Sequence, residues 1–568
     1  MPTSVVPDSL VTVGWAENLT GTNAAARTGA APGNLDVAAL TRSRFATEVE
    51  GAVVPDESFG TVTIRDQEPF TVRYDLAEPR WSDGIPLDTA DLLLAWAAGS
   101  NFHAPENFNP VDAITEDGSL DVPQDVAWFD SVQRGIVQSD QVPSYDEFGR
   151  WIEVRFAGPV VDWQTALDVA VPAHVVGARA LDITDPMEAK QAVIRAIVEG
   201  DAEDLAAIAD VWNTGFDLTG DDAPPAGALL SSGPFRIEEI DSSRPDAQRV
   251  RLMANNEYAG QPTPFLERVE LIEVGTNQLD DVGDLYNVTQ IAPTPDNREA
   301  VRDLERLDFP VTSTHDGTMW TFMLRTDRGP FRSREARLAF LRAVPAGEML
   351  EAGAGEWRDS YEAANTLLFP PGAEGEEIAM EDSGFVELID GAEGEPAQWR
   401  AGAGVPDGAD VCVLSEVGDP FAEGALDAMR DGMAEAGWDV YGCGGGDIAA
   451  ASQISDEWNA VFTRVPVPTS PAELAVQWGS SGLANHTGLA DERRDQLIQA
   501  YGRATDPYAV RDARIAIETS LVNDAVAYPI AMNPVVTVAD RDVTGVAPVP
   551  GRVAGLAASA VTWQVATD

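Results

Sequence analysis

The sequence predicts an α/β protein made of more than one domain. Three observations carry this. The chain has 568 residues, too many for one hydrophobic core, so two or three domains are expected. A strand, a tight turn and a capped helix follow one another between Phe70 and Asp91. A strand-helix-strand pattern then recurs between Asp410 and Cys443. Hydrophobic residues at 44% and charged residues at 23% suit a globular chain.

Ser9-Leu10-Val11-Thr12-Val13-Gly14-Trp15 reads as an apolar opening strand. The stretch Glu17 to Asn34 is rich in Gly, Ala, Thr and Asn and reads as a loop. Phe70-Thr71-Val72-Arg73-Tyr74-Asp75-Leu76 reads as a strand, and Arg80-Trp81-Ser82-Asp83-Gly84-Ile85-Pro86-Leu87-Asp88-Thr89-Ala90-Asp91 follows it. Ser82-Asp83-Gly84 supplies a turn, because Gly84 takes a positive φ at little cost. Pro86 fixes the chain entering the helix. Asp88 is a good N-cap, and Asp91 stands three residues on, as in a capping box.

Trp151-Ile152-Glu153-Val154-Arg155-Phe156 reads as another strand, and Pro186 to Trp212 has apolar residues at helical spacing. Asp221 to Gly227 reads as a linker, with strands near Pro234 and Val250 beyond it. Residues 370–410 are rich in Gly, Glu, Asp and Pro and are expected to be a surface loop or weakly ordered insertion. Asp491 to Leu521 is expected as a helix with Leu497, Ile498, Tyr501, Ile515, Ile517 and Leu521 on its core face. Tyr528 to Met532 reads as a strand. No internal repeat of fixed period is present.

Between Asp410 and Cys443, the helix Phe421 to Glu435 joins two strands that are expected to lie parallel and adjacent. Cys412 and Cys443 are the whole thiol inventory, and this geometry allows a disulfide between them; two buried thiols are the alternative. No Cys-x-x-Cys occurs, which argues against a zinc or redox motif.

The formal charge of −57 argues against nucleic acid and anionic membranes as partners. Lys190 is the only lysine. An acidic proteome or a salty habitat accounts for the acidity; a long-range pull on cationic ligands is screened by ordinary salt. No Gly-x-Ser-x-Gly, P-loop, EF-hand loop or helix-opening Gly-x-Gly-x-x-Gly is found. Acidic pairs such as Asp221-Asp222 and Asp280-Asp281 are inevitable among 94 acidic residues, so they do not mark a glycosidase. The histidines His103, His174, His315 and His486 lack metal-site spacing, and no metal or cofactor is expected.

The run Arg80 to Asp91 resembles the Trp-Ser-Asp-Gly-x-Pro signature of family 5 solute-binding proteins, the extracytoplasmic receptors of ABC importers. Asp88 stands where that family usually has Thr, and both residues cap helices. Further similar runs follow in the family's order: Trp151 to Phe156, Val171-Pro172-Ala173-His174, Ser232-Gly233-Pro234-Phe235, Asn255 to Gly260, Pro264 to Leu271, and Pro330 to Arg337. The resemblance implies a two-lobed periplasmic-binding-protein-like fold (type II, cluster C) with an extra α/β subdomain in the first lobe. Lobe I would comprise residues 1–49, an insertion subdomain at 50–180 and a second part at 181–272. Lobe II would span 273–531, and 532–568 would return to lobe I. The lobes would cross over near Val269 to Thr276. Met1-Pro2-Thr3-Ser4 reads as an initiator placed before a mature sequence, and the resemblance implies an export signal, with a lipid anchor, in the precursor.

What the resemblance implies for function is capture, without catalysis, of a small solute: a peptide, an oligosaccharide or a chelate. A monomer would close about a hinge and present the solute to an ABC permease and ATPase complex. A sensor or chaperone on the same scaffold, or a glycoside hydrolase, are the alternatives. Family pockets draw on four places, which here imply Trp15, Glu17, Asn18 and Thr20; Trp320 and Phe322, on one face of a strand; Phe462 and Arg464; and Trp478, Asn485 and His486. Peptide-binding members carry an Asp near Arg464 that pairs with the peptide's ammonium. Arg464-Val465-Pro466-Val467-Pro468 has none, and an arginine there favours an anion or a salt bridge within its own lobe.

Overall fold

The computed structural model describes residues 2–49, 51–115, 120–218, 223–243, 247–275, 279, 281–445, 448, 457–551 and 555–566. Asp221, Asp222, Thr276 and Asp280 lie outside the described residues.

Val11, Val13 and Trp15 alternate along the strand Val6–Trp15 and are buried, and this strand anchors the main sheet. It runs parallel to Leu266–Glu273 on one side and to Val288–Ile291 on the other. The sheet has ten strands, in the order Trp438–Gly445, Ala409–Ser415, Ala460–Pro466, Val311–Leu324, Ala527–Ala539, Val288–Ile291, Val6–Trp15, Leu266–Glu273, Arg249–Ala254, Phe235–Asp241. Val311–Leu324 and Ala527–Ala539 are its longest strands and pair antiparallel. Ala527–Ala539 also pairs, through Val536 to Ala539, with Val288–Ile291, so it bridges the two halves of the sheet. Register slips between His315 and Met319, where Gly317 adopts φ +80°.

A separate four-stranded sheet is formed by Gly60–Gln67, Phe70–Leu76, Trp151–Arg155 and Ser144–Tyr145. Phe70, Val72, Tyr74 and Leu76 face its core, with Trp81, Trp96 and Phe156. That core continues through the helices Pro186–Glu199 and Ala202–Thr214. The helical stretch Pro186 to Trp212 is thus divided in two: Gly200 ends the first helix, and Asp201 caps the second by accepting from Glu203 and Asp204. The helix expected over Asp491 to Leu521 is likewise two, Glu492–Tyr501 and Pro507–Asp524. Asp506 caps the second and Pro507 opens it.

Residues 370–410 are more ordered than composition suggested. They include the helices Glu376–Asp382 and Pro396–Gly402. Phe385 and Ile389 are buried, Phe385 packs edge-on against Tyr528, and the Tyr528 hydroxyl donates to Asp390 at 2.7 Å. A few well-placed apolar residues anchor a polar segment. Beside it, Ala409–Ser415 and Trp438–Gly445 pair parallel around the helix Pro420–Glu435, and Cys412 and Cys443 are joined as a disulfide with 5.4 Å between their Cα atoms.

The turn-and-helix run folds as its residues dictate. Gly84 has φ +88°, and Asp88 and Asp91 form a reciprocal capping box on the helix Thr89–Ser100. Asp91 is fully buried. Its Oδ1 accepts from Trp81 Nε1 at 3.1 Å and from the Ala173 amide at 2.9 Å. Its Oδ2 accepts from the Asp88 amide at 3.1 Å and from Lys190 Nζ at 2.8 Å. Lys190, 1% exposed, also donates to the Pro86 carbonyl at 2.5 Å and pairs with Asp88 Oδ2 at 3.0 Å. His174 Nε2 lies 2.9 Å from Asp83 Oδ2, a structural role.

Removing one partner of this buried pair strands the other charge. Lys190→Ala is expected to cost about 3–5 kcal/mol of the first lobe's stability. Urea unfolding followed by Trp fluorescence measures it.

Candidate functional site

The segment Val161 to Trp163, which follows the four-stranded sheet, bonds directly to the turn between the helices Glu492–Tyr501 and Pro507–Asp524. The Val161 amide donates to the Gly502 carbonyl at 2.9 Å, and Trp163 Nε1 donates to the Thr505 carbonyl at 3.3 Å. A second contact comes from the hairpin Ala46–Val49 and Ala52–Pro55. A β-carbon at its tip, Gly51, would lie 2.9 Å from Nη1 of Arg514. Arg514 sits on the helix Pro507–Asp524 and packs over the Phe369 ring at 4.6 Å. The region of the four-stranded sheet therefore meets the region of these two helices at two places away from the ten-stranded sheet.

At the sheet itself, Trp15, Glu17, Asp36, Gln290, His315, Asp316 and Trp563 line a cavity of about 190 Å³ floored by Val13, Leu40, Val269 and Leu271. Trp15 Nε1 donates to Asp36 at 2.8 Å, which fixes the indole plane. The Gly317 amide donates to His315 Nδ1 at 3.2 Å, which leaves the proton on Nε2; burial holds this imidazole's pKa below its ordinary value. Asp316 accepts from Asn533 Nδ2 at 2.7 Å, and Asn533 Oδ1 accepts from Trp320 Nε1 at 3.1 Å. This chain of bonds connects the cavity to Arg464, whose guanidinium lies 5.3 Å from the Trp320 ring centre.

Arg464 is held by Glu416, with Nε at 3.0 Å and Nη2 at 2.6 Å from Oε2. Burial pushes Glu416 upward, but the bonds from Arg464 and Thr463 outweigh it and hold the carboxyl below its ordinary range. Asp419 caps the helix Pro420–Glu435, and burial raises its pKa. Of the two expectations for Arg464, an anion or an internal salt bridge, the structure shows the salt bridge, to Glu416. A half-exposed pair of this kind is worth about 1 kcal/mol at most, so what it does is position the guanidinium over Trp320.

The remaining expected residues are dispersed. Phe322 and Phe462 are fully buried and oppose one another across paired strands in the second lobe's core. Trp320 shares their face, as period two requires, and stacks on Phe421 at 4.9 Å. In this conformation the three rings are core side chains rather than an open cleft wall, because the helix Pro420–Glu435 covers that face. Trp478 is 1% exposed and packs in a separate core cluster with Leu474 and Ile498. Asn485 organises its own turn, donating to the Gly479 carbonyl and accepting from Thr487. His486 is half-buried beside Arg325, and burial, with that charge, lowers its pKa. Thr20 is tied to Asn34, and Asn18 is exposed at the surface. Trp15 and Glu17 line the cavity.

Residues not found by sequence reasoning are His315, Asp316, Glu416, Asp419 and Asn533. Their only sequence signal was proximity to expected strands; pairing across the sheet brought them together. Among the described residues, no group of His, Cys, Asp or Glu side chains could hold a metal, and no helix is long and apolar enough to cross a membrane.

Comparison with known proteins places this geometry. No family model matches the chain. An uncharacterized lipoprotein of Mycobacterium tuberculosis (strain H37Rv) is 23% identical over 491 residues, 83% of this chain and 78% of that protein. Among solved structures, the periplasmic EDTA-binding protein EppA aligns over 98% of this chain and 97% of its own, with TM-score 0.73 and 18% identity. The ABC transporter substrate-binding protein CtaP of Listeria monocytogenes aligns over 98% and 99%, with TM-score 0.68 and 14% identity. The oligopeptide-binding protein AppA of Bacillus subtilis, solved with a nonapeptide, aligns over 98% and 99%, with TM-score 0.60 and 13% identity.

A titratable group lies just behind the Arg514 contact. Glu518 is 1% exposed and accepts from the Leu367 and Leu368 amides, each at 2.9 Å. Burial pushes its pKa to about 7 from an ordinary 4.5. The folded state therefore binds the proton more tightly than the unfolded state. This group's contribution is complete below pH 4.5 and is lost as pH rises through 7, in all about 3 kcal/mol. Glu518→Gln is expected to remove that slope, so the stability difference between wild type and variant should change between pH 5 and pH 8 in urea titrations.

Proposed function

The fold is that of two-lobed periplasmic binding proteins, and we propose that this chain is the solute-binding protein of an ABC importer. It captures a mid-sized solute between its lobes and hands it to a membrane permease and its ATPase. The observation that carries this reading is the pairing of a strand hinge with direct lobe-to-lobe bonds at Val161–Gly502 and Trp163–Thr505. A solute touching both lobes stabilises the closed form by differential contact, and closure is the signal a permease reads. The neighbours described as binding EDTA, a nonapeptide or an ABC transporter's substrate support a small solute as cargo. The lipoprotein relative supports an extracytoplasmic, lipid-anchored location.

The polar groups around the hinge cavity act as binders. Asp316 is held in place by Asn533, and Trp15 presents a fixed indole edge beside Glu17. No covalent step is needed. The expected sequence is open lobes, entry of solute, closure onto Trp163 and the Gly51 hairpin, and docking.

Native mass spectrometry of gently purified protein is expected to show a bound mass, and small-angle scattering a smaller radius of gyration once that solute is restored to stripped protein. Silence across a broad solute library, with no compaction, would replace the receptor with a sensor or chaperone. Trp163→Phe, which removes one closure bond, is expected to weaken solute affinity about two- to tenfold while leaving thermal unfolding within a few degrees.

A further inference from the structure

The cavity that Trp15 and Trp563 border carries charge of one sign. Glu17, Asp36 and Asp316 are on its wall, and among the described residues no lysine or arginine lines it. Asp36 is committed to the Trp15 indole. Asp316 accepts hydrogen bonds from neutral groups: the Thr318 amide at 2.8 Å and hydroxyl at 2.6 Å on Oδ1, and Asn533 Nδ2 at 2.7 Å on Oδ2. Arg464 acts on Asp316 through its field, while its guanidinium is bonded to Glu416. Glu17 is half-buried, and among the described residues nothing donates to it. The charges of Glu17 and Asp316 are therefore not held in a direct ion pair.

His315 adds a donor to the same wall. It is 8% exposed. Its Nε2 carries the proton, because Nδ1 accepts from the Gly317 amide, and Nε2 has no hydrogen-bond partner. Asp316 and Glu362 favour a charged imidazole, yet burial outweighs them and keeps the ring neutral at pH 7. The histidine therefore does not offset the carboxylates, and its N–H lacks an acceptor.

The interior is apolar. Val13, Leu40, Val269 and Leu271 form the floor, and Leu556 and Ala560 line it as well. The volume, about 190 Å³, exceeds the roughly 150 Å³ of an apolar cavity that accommodates benzene. A short aliphatic chain fits, with its head beside the carboxylates. The lining comes from Val6–Trp15 and Leu266–Glu273 in one half of the ten-stranded sheet and from Val311–Leu324 and Ala527–Ala539 in the other. A group held here touches both halves.

We propose that this cavity takes a protonated primary amine of the captured solute, carried on a short aliphatic stem. This deepens the receptor reading above and rests on it. An ammonium group has three N–H donors, and Glu17 and Asp316 accept them as charge-assisted bonds. The methylene groups lie on the apolar floor. A carbonyl or hydroxyl oxygen of the solute accepts from His315 Nε2. A carboxylate or phosphate head meets repulsion from the same wall.

The test is calorimetry at low salt on the full chain with pentylamine, pentanol and pentanoate, which share one stem and differ in the charge of the head. Scattering runs in parallel with pentylamine, with any solute that co-purifies and with a broad solute library. Pentylamine is expected to bind the wild type, with pentanol weaker by about tenfold or more and pentanoate not measurable. Glu17→Gln removes the charge at nearly constant shape and breaks no bond within the chain. It is expected to weaken pentylamine by about fivefold or more and to leave pentanol unchanged, whereas a merely structural role for Glu17 would move both. Glu393→Gln, at an exposed carboxylate elsewhere, is expected to change neither. The amine pocket is overturned if pentylamine does not bind, if pentanoate binds as tightly, or if Glu17→Gln binds pentylamine as the wild type does. A co-purified solute without an amine that compacts the protein, indifferent to Glu17→Gln, keeps the receptor and removes the amine pocket. Pentylamine binding that Glu17→Gln weakens, with no compaction by any solute tried, keeps the pocket and removes the receptor.

Discussion

The carboxylate of Asp91 holds four donors from four parts of the first lobe: the Trp81 indole, the Asp88 and Ala173 amides, and Lys190. The turn, the helix it caps, the Pro172 corner and the helix Pro186–Glu199 are registered against one another through a single buried group. A buried charge is tolerable only when fully bonded, and here both oxygens are. Lys190 is matched in the same way, with two carboxylates and a carbonyl around its ammonium. The one lysine of the chain is therefore an internal strut. The other basic residues are arginines, whose forked donors can serve several partners at once.

On this rigid lobe the segments that meet the second lobe are short. Val161 to Trp163 and the Gly51 hairpin protrude from the subdomain that Asp91 organises, while the sheet joins the lobes through Val311–Leu324 and Ala527–Ala539. The register slip at His315 to Met319 lies in that junction and turns His315 and Asp316 toward the cavity.

Local charge follows from pairing rather than composition. Arg464 stands in a region rich in carboxylates and is neutralised by Glu416, whereas Arg42, Arg44 and Arg134 share Asp168. A chain of net charge −57 thus holds both a carboxylate shared by more than one arginine and a one-to-one pair. Long-range fields are screened in salt, so short-range pairing sets the local charge.

Local chemistry was legible in the sequence. The turn at Gly84, the caps at Asp88 and Asp91, the alternation of Phe70 to Leu76 and the parallel strands around Cys412 and Cys443 follow from residue spacing alone. The helix breaks at Gly200 and before Pro507 are hard to see in the sequence, because apolar periodicity persists across short interruptions, two residues in one case and five in the other. The order of residues 370–410 was missed because Phe385 and Ile389 find their partners far away, at Tyr528 and in the second lobe's core. Site residues were least legible. Trp320, Phe322 and Phe462 have the aromatic character of a binding wall, yet a helix covers them; Asp316, Asn533 and Glu416 look ordinary until strand pairing joins them. Residue spacing set most of the elements and their caps, since these depend on neighbours within a few residues, and the two-lobed fold came from the family resemblance of the motifs. Which side chains face solvent, which charges cancel and which donors stay unpaired was decided only by tertiary structure, because burial and pairing depend on residues hundreds of positions apart.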